Sequence, residues 1–107
     1  MKNEYGVTLD RHKYAPSIMQ DYDRCYICYG NGEGILQRHE VFFGKAFREK
    51  SKMYGLWVQL CPGCHWELHN RKPELDRDLK KIAQIKAMDH YDWNVDEFRL
   101  RFGKNYV

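Results

Sequence analysis

The sequence contains no apolar run that approaches the roughly 20 residues needed to span a bilayer. Its first stretch, MKNEYGVTLDRHKYAPS, has no apolar core segment of the kind that a secretory signal requires. Internal repeats, low-complexity tracts and linker-like stretches are missing as well. These absences argue against a membrane protein, a secreted protein and a repeat architecture. We therefore expect a single cytoplasmic domain over residues 1–107, without a membrane partner.

The chain also has little net charge, only +3 at pH 7. All of this excess lies in residues 35–54, which contain five basic and two acidic residues, while the remainder is balanced. A basic run of this kind is ordinarily a solvated loop. Next to a metal site, however, it favours a phosphate-binding surface. Its basic residues are Arg38, Lys45, Arg48, Lys50 and Lys52.

The four cysteines form two matched CxxC pairs, Cys25 with Cys28 and Cys61 with Cys64. Four thiolates are enough to close a tetrahedral Zn²⁺ shell. In a reducing cytosol, metal binding explains four cysteines better than disulfides do. A redox dithiol is disfavoured because the C-terminal part lacks the βαβ pattern that accompanies such motifs. The sequence therefore predicts a structural zinc site.

The segment LCPGCHWELHN places two histidines directly after the second cysteine pair. His65 and His69 are four residues apart, so on a helix they extend from the same face. A zinc shell filled by four thiolates has no position for them, which indicates a second metal site. The best third ligand is His39, at the end of ILQRHEV. His12 and His90 are expected to be ordinary surface residues.

Hydrophobic patterning predicts two strands followed by helices. Residues 35–43 and 54–61 favour strands, and the basic segment forms a loop between them. Residues 65–70 suit the first turns of a helix, and 16–23 could form a short helix that begins at Pro16.

The C-terminal part has a helical pattern from Pro73 onward. An apolar stripe of Leu75, Leu79, Ile82 and Ala83 indicates its buried face. Asn94 followed by Glu97 matches a capping box, so a further helix should begin there and end at Gly103. The aromatic residues expected to anchor these helices in the core are Trp93, Phe98 and Phe102.

Residues 17–107 resemble the HNH (ββα-metal) endonucleases, in particular small phage and prophage members with a zinc knuckle. The resemblance rests mainly on ILQRHEVFFGKAF and GLWVQLCPGCHWELH. In this comparison His39 stands at the metal-binding position and Glu40 where the general-base histidine usually stands. His65 matches the last histidine of the motif, and His69 matches the additional helical ligand of colicin-type DNases.

One further position departs from the family pattern. Leu56 stands where the family has a central asparagine that holds the loop and orients the base. Ser51 and Gln59 are the residues that could replace its hydrogen bonds.

The resemblance implies an α+β domain of the ββα-metal type with additional C-terminal helices. Its parts are an irregular arm (1–15), a zinc-knuckled core (16–70) and a helical part (71–107). The implied activity is hydrolysis of phosphodiester bonds in DNA, expected to be double-stranded, by nicking or double-strand cleavage. The implied catalytic residues are His39, Glu40 and His65.

The catalytic ion would be held by His39, His65 and His69. It is Mg²⁺, Mn²⁺, Ni²⁺ or Zn²⁺, in addition to the structural Zn²⁺. The setting would be the bacterial cytoplasm, with other phage DNA-processing proteins as further partners. The alternative is a zinc-stabilised nucleic-acid-binding module that has lost catalysis with the asparagine. A third interpretation is a zinc-knuckle domain that binds proteins.

Overall fold

An antiparallel pair of short strands, β1 (Gln37–Glu40) and β2 (Trp57–Leu60), lies in the middle of the chain. The computed structural model describes residues 1–30 and 35–107, and within them this pair forms one two-stranded sheet. The register places His39 opposite Val58 and Glu40 opposite Trp57. Because side chains alternate along a strand, His39 and Glu40 begin on opposite faces of the sheet.

Four helices complete the secondary structure over the same residues. They are α1 (Arg48–Met53), α2 (Pro62–Asn70), α3 (Pro73–Tyr91) and α4 (Val95–Phe102). The predicted capping box is present at the start of α4, and Gly103 ends this helix with a left-handed φ of 77°. The predicted α+β class is therefore confirmed. In the described part of the chain, no helix has both the length and the apolar composition to cross a membrane.

The hydrophobic core joins the strand region to the C-terminal helices. Phe42, just after β1, lies with its ring centroid 4.7 Å from that of Phe102 and 5.4 Å from that of Phe98. Both phenylalanines of α4 are fully buried, and Trp93 is 4% exposed, so the three predicted anchors are confirmed. The C-terminal helices consequently hold the loop after β1 in place.

Two predictions of local structure are wrong. The basic segment is not a loop throughout, because strong helix formers in Arg48–Met53 make α1 there. Residues 16–23 form no helix, because side chains take over their backbone hydrogen bonds. The Ser17 hydroxyl accepts from the N–H groups of Met19 and Gln20. The Gln20 amide in turn donates to the carbonyls of Tyr22 and Arg24.

The buried face of α3 also differs from the predicted stripe. Leu79 and Ala83 are buried as expected, but Ile82 is 40% exposed and Gln84 is fully buried. The Gln84 side chain donates to Asn105 Oδ1 and accepts from the Tyr106 N–H, both at 2.7 Å. A polar residue is stable in the core here because the C-terminal tail satisfies both ends of its amide.

Candidate metal centres and their pocket

The four cysteines converge on one point, as the sequence predicts. Their sulfur atoms all lie within 4.8 Å of one another, and none forms a disulfide. The Sγ atoms of Cys28 and Cys61 are 3.9 Å apart. Two thiolates at ~2.3 Å from one tetrahedral Zn²⁺ would be separated by ~3.8 Å. This group, the cysteine cluster (Cys25, Cys28, Cys61 and Cys64), can therefore hold a metal ion such as zinc.

Backbone N–H groups donate to sulfur atoms of the cysteine cluster and favour the thiolate of Cys25, whereas burial and hydrogen bonds with the other cysteines raise the pKa of Cys64. The N–H of Cys64 donates to Cys61 Sγ and that of Gly30 to Cys28 Sγ, each at 3.4 Å. Burial raises the pKa of the Cys25 thiol, but the backbone N–H groups of Cys28, Cys61 and Ile27 outweigh this effect and lower it to about 6. A thiolate is the form that binds a metal.

Helix α2 connects the cysteines to the histidines. Cys61 is its N-cap, Pro62 occupies its first position, and Cys64 lies in its first turn. His65 and His69 follow on the same helix, one turn apart. The cysteine cluster therefore fixes the start of the helix that presents two of the predicted histidine ligands.

The third histidine comes from β1. The ring centroids of His39, His65 and His69 form a nearly equilateral triangle, with separations of 5.2, 5.1 and 5.0 Å. One ring nitrogen from each residue lies within 4.8 Å of the others. We refer to His39, His65 and His69 as the histidine cluster. The other two histidines, His12 and His90, are exposed as predicted.

His39 has the properties of a metal ligand. His39 is 2% exposed, and its Nε2 has no hydrogen-bond partner among the described residues. Burial, together with the neighbouring His65, His69 and Lys80, lowers the pKa of His39 to about 3, so the ring is neutral at pH 7. An unpaired lone pair in a buried, neutral imidazole costs free energy, and a metal ion at the centre of the cluster would satisfy it.

Gln37 orients one of these rings and was not predicted from the sequence. It lies on the same face of β1 as His39, and its side-chain oxygen is 2.7 Å from His65 Nδ1. The oxygen can only accept, so His65 carries its proton on Nδ1 and keeps the Nε2 lone pair free. Such a partner fixes the tautomer and the orientation of a metal-binding histidine. The alternation of β1, which puts residues 37 and 39 on one face, was the available signal.

The histidine cluster opens into a pocket of about 260 Å³. Glu40 and Arg48 form one side, with 3.5 Å between Glu40 Oε1 and Arg48 Nε. Phe43 forms an apolar wall, its ring 5.0 Å from that of His69, with Lys80 Nζ 4.2 Å from its centroid. Although His39 and Glu40 are adjacent, both line the pocket because β1 ends at Glu40.

The five predicted phosphate-binding residues are placed unequally around this pocket. Arg38 and Arg48 line it, and Arg48 also lines a second groove formed with Gly44, Lys45 and Glu49. Arg48 pairs with Glu40, and three others have protein partners as well. Arg38 pairs with Asp10 at 2.8 Å, Lys50 donates to the Arg101 carbonyl at 2.9 Å, and Lys52 pairs with Glu49 at 3.4 Å.

Ser51 holds the loop that follows β1. Its hydroxyl donates to the Phe42 carbonyl at 2.8 Å and accepts from the Phe42 N–H at 3.1 Å, in a fully buried position. Leu56 packs in the core, and its carbonyl accepts from the Val41 N–H at 3.0 Å. Gln59 bonds instead to Asp23 at 2.9 Å. Of the two candidates from the sequence, Ser51 is therefore the one that contacts this loop.

Comparison with known proteins adds no further evidence, because no family model, curated protein or solved structure matches the chain.

Proposed function

We propose that this protein is a metal-dependent DNA endonuclease of the HNH (ββα-metal) type. The observation that carries the proposal is the histidine cluster. One strand and one helix bring three histidines together at a pocket that also contains a carboxylate and a guanidinium. A strand pair followed by a helix that supplies ligands is the arrangement that the family resemblance implies.

The histidine cluster would hold the catalytic ion. Three imidazole nitrogens favour a transition metal such as Zn²⁺, Mn²⁺ or Ni²⁺, while Mg²⁺ would rely more on water ligands. Three protein ligands also leave positions open for substrate and water, as a catalytic site requires. A divalent ion bound there would supply positive charge to the phosphate and increase the acidity of a bound water molecule.

Glu40 is the proposed general base. It lines the pocket beside the histidine cluster, and its carboxylate can accept a proton from a water molecule that attacks the phosphorus atom. The water oxygen then forms a bond to phosphorus while the bond from phosphorus to the leaving ester oxygen breaks. His39 is less suited to this role because it is buried and faces the other two histidines.

Arg48 and Lys45 are the proposed contacts to the DNA backbone. Arg48 is 58% exposed and borders both the pocket and the outer groove, where Lys45 lies. A guanidinium at this position can bind the phosphate that is cleaved or the one next to it. Such contacts position the DNA but do not read its sequence.

Ser51 is proposed to take the structural role of the missing asparagine. Its two hydrogen bonds to Phe42 fix the backbone two residues after Glu40, and so keep the end of β1 in place. The cysteine cluster is proposed to bind Zn²⁺ and to fix the first turn of α2. Metal-binding energy at such a site is folding energy.

The experiment that tests this function is plasmid cleavage with Mg²⁺, Mn²⁺, Ni²⁺ or Zn²⁺ added to purified protein. We expect nicking or linearisation with at least one ion, loss of cleavage in Glu40→Gln, and weakened ion binding in His39→Ala. DNA binding without cleavage under any condition would instead support the alternative, a nucleic-acid-binding module. Parent-rate cleavage by Glu40→Gln would contradict the role of Glu40.

A further inference from the structure

The N-terminal arm, residues 1–15, is fixed against the face of the sheet that carries Glu40. Its last residue, Ala15, is 2% exposed and is held twice. The Ala15 carbonyl accepts from the Trp57 indole N–H at 2.8 Å, and the Ala15 N–H donates to the Lys52 carbonyl at 2.9 Å. The arm is therefore attached to both β2 and the end of α1, immediately after Tyr14.

Asp10 forms the second attachment of the arm. Its Oδ1 accepts from the N–H groups of His12 and Tyr14, and its Oδ2 accepts from Arg38 of β1 at 2.8 Å. The Asp10 N–H also donates to the Tyr14 carbonyl at 2.9 Å. These bonds close a tight turn, in which Lys13 has a left-handed φ of 72°. Tyr14 is thus held on both sides by short-range and long-range hydrogen bonds.

The ring of Tyr14 is enclosed by charged and aromatic groups. The Arg38 guanidinium lies 4.3 Å from its centroid, Lys52 Nζ lies 5.0 Å away, and the Trp57 ring is 5.5 Å away in an edge-on arrangement. Arg38 and Glu40 are two residues apart on β1 and share a face, and Trp57 is the register partner of Glu40. The phenol therefore lies on the face of the sheet that carries the proposed base, against Arg38 and Trp57, the two neighbours of Glu40 on that face.

The charges around the Tyr14 hydroxyl agree with this placement. Burial, followed by the negative charge of Glu40, raises the pKa of Tyr14 to about 12, against the opposing effect of Arg38. The hydroxyl consequently keeps its proton at neutral pH and can donate it in a hydrogen bond. Asp10 is the other acid that faces the ring, and it is already paired with Arg38.

We propose that Tyr14 is a positioning residue, which donates a hydrogen bond from its hydroxyl to Glu40 and so restricts the motion of this carboxylate at the edge of the pocket of the histidine cluster. The inference rests on the proposed role of Glu40 as general base. Arg48, the other neighbour of Glu40, is more than half exposed and is also the proposed phosphate ligand. When Arg48 binds the substrate, Tyr14 remains hydrogen-bonded to the Glu40 carboxylate. Because Tyr14 is held in a fixed position, the carboxylate needs less rearrangement before the reaction.

The test compares Tyr14→Phe, Glu40→Gln and the double variant with the parent protein, and uses Tyr22→Phe as a matched control. Tyr22 is half-buried, and its ring packs against that of Tyr29, with 5.3 Å between the centroids. We expect Tyr14→Phe to lower kcat about tenfold, the equivalent of one hydrogen bond, with KM and ion affinity unchanged. In the Glu40→Gln background it should cause no further loss of the residual rate, which is measured in single-turnover reactions with excess protein. An equal loss of rate in both backgrounds, or no loss, would overturn the proposal.

A second readout does not depend on cleavage. If the hydroxyl and the carboxylate interact, the changes in Tm caused by Tyr14→Phe and Glu40→Gln should not add in the double variant. Additive changes in Tm would overturn the pairing of Tyr14 with Glu40 even if cleavage were normal. If the parent protein cleaves no DNA while the Tm changes are non-additive, the proposed function fails and the pairing stands.

Discussion

Gln37 and His65 are joined by their side chains, with 2.7 Å between the Gln37 oxygen and His65 Nδ1. The first residue lies on β1 and the second on α2, so this bond connects the two elements that supply the histidine cluster. It also orients the His65 ring within the cluster. The geometry of the histidine cluster therefore depends on Gln37, a residue that is neither a histidine nor an acid.

Gln37→Leu should lower the affinity of the histidine cluster for a divalent ion by ~10–100-fold, because His65 loses the partner that fixes its tautomer. The measurement is competition with a chromophoric chelator, using Ni²⁺ or Mn²⁺ as the probe. Gln59→Leu is the matched control, since Gln59 bonds to Asp23 away from the cluster. Equal affinities in the two variants would show that Gln37 does not act on the metal site.

Cys25→Ser should unfold the domain, whereas His69→Ala should leave it folded. Cys25 is fully buried in the cysteine cluster, so its replacement should release Zn²⁺ and unfold the domain. His69 is exposed, and His69→Ala should retain the fold and one tightly bound Zn²⁺ while cleavage is lost. Circular dichroism and zinc analysis distinguish the two results. If both variants unfold alike, the assignment of two separate metal sites is wrong.

Ser51→Ala should reduce the free energy of unfolding by about 1–3 kcal/mol, because it leaves the Phe42 N–H and carbonyl buried without a side-chain partner. Urea denaturation measures this change. Cleavage should also slow at temperatures where the variant is fully folded, since the loop after Glu40 loses its restraint. Ser17→Ala, which removes a hydroxyl bonded to the Trp57 carbonyl, is the comparison. It should affect stability more than rate.

Replacing Lys45 and Arg48 together with Gln should weaken binding to unrelated DNA sequences to a similar degree. It should reduce the slope of log K against log salt by up to about 1.8, or ~0.9 for each lost phosphate contact. Lys50→Gln is the control from the same basic segment. The Lys50 ammonium donates a hydrogen bond to the Arg101 carbonyl. We therefore expect Lys50→Gln to reduce stability and to leave the salt slope unchanged. An unchanged slope in the double variant would show that Lys45 and Arg48 are solvated and do not contact DNA phosphates.

The attachment of the arm through Asp10 should be sensitive to acid. Burial acts to raise the pKa of Asp10, but the Tyr14 N–H, Arg38 and the His12 N–H lower it from 3.8 to about 2. The ionised carboxylate therefore stabilises the fold above about pH 4, and this contribution is lost as the pH falls toward 2. The difference in unfolding free energy between the parent and Asp10→Asn should shrink in that interval. Asp89→Asn, a change at an exposed site of α3, should show no such trend.

The features that the sequence predicted are those with short-range signals. The capping box of Asn94 and Glu97 is a pattern over four residues, and it appears at the start of α4 as expected. The paired cysteines and the i,i+4 histidines are local patterns of the same kind. Two assignments had to be made across a long separation: the joining of the two cysteine pairs, which rested on their matched spacing, and His39, whose position was given by the ending of ILQRHEV.

The features that were missed depend on contacts between distant segments. Gln84 is buried because residues 105 and 106 return to satisfy its amide, and no periodicity in α3 can show this. Tyr14 packs against Arg38 and Trp57 because the arm is anchored to Trp57 and Lys52. Helix α1 was missed because its charged residues resemble a solvated loop. Ser51 is buried within it because its hydroxyl bonds to Phe42, nine residues earlier in the chain.

Helix α2 and its N-cap contain two members of each cluster: Cys61 and Cys64 of the cysteine cluster, and His65 and His69 of the histidine cluster. The relative orientation of the two clusters is therefore set by the geometry of one helix. An α-helix advances about 100° per residue. One residue inserted after Cys64 would leave the thiolates in position but rotate both helical imidazoles about a quarter of a turn away from His39. Among homologous chains, length changes at this junction should therefore be absent, or come in whole turns. The spacing between the last cysteine and the first helical histidine sets the angle about the helix axis between the cysteine cluster and the histidine cluster.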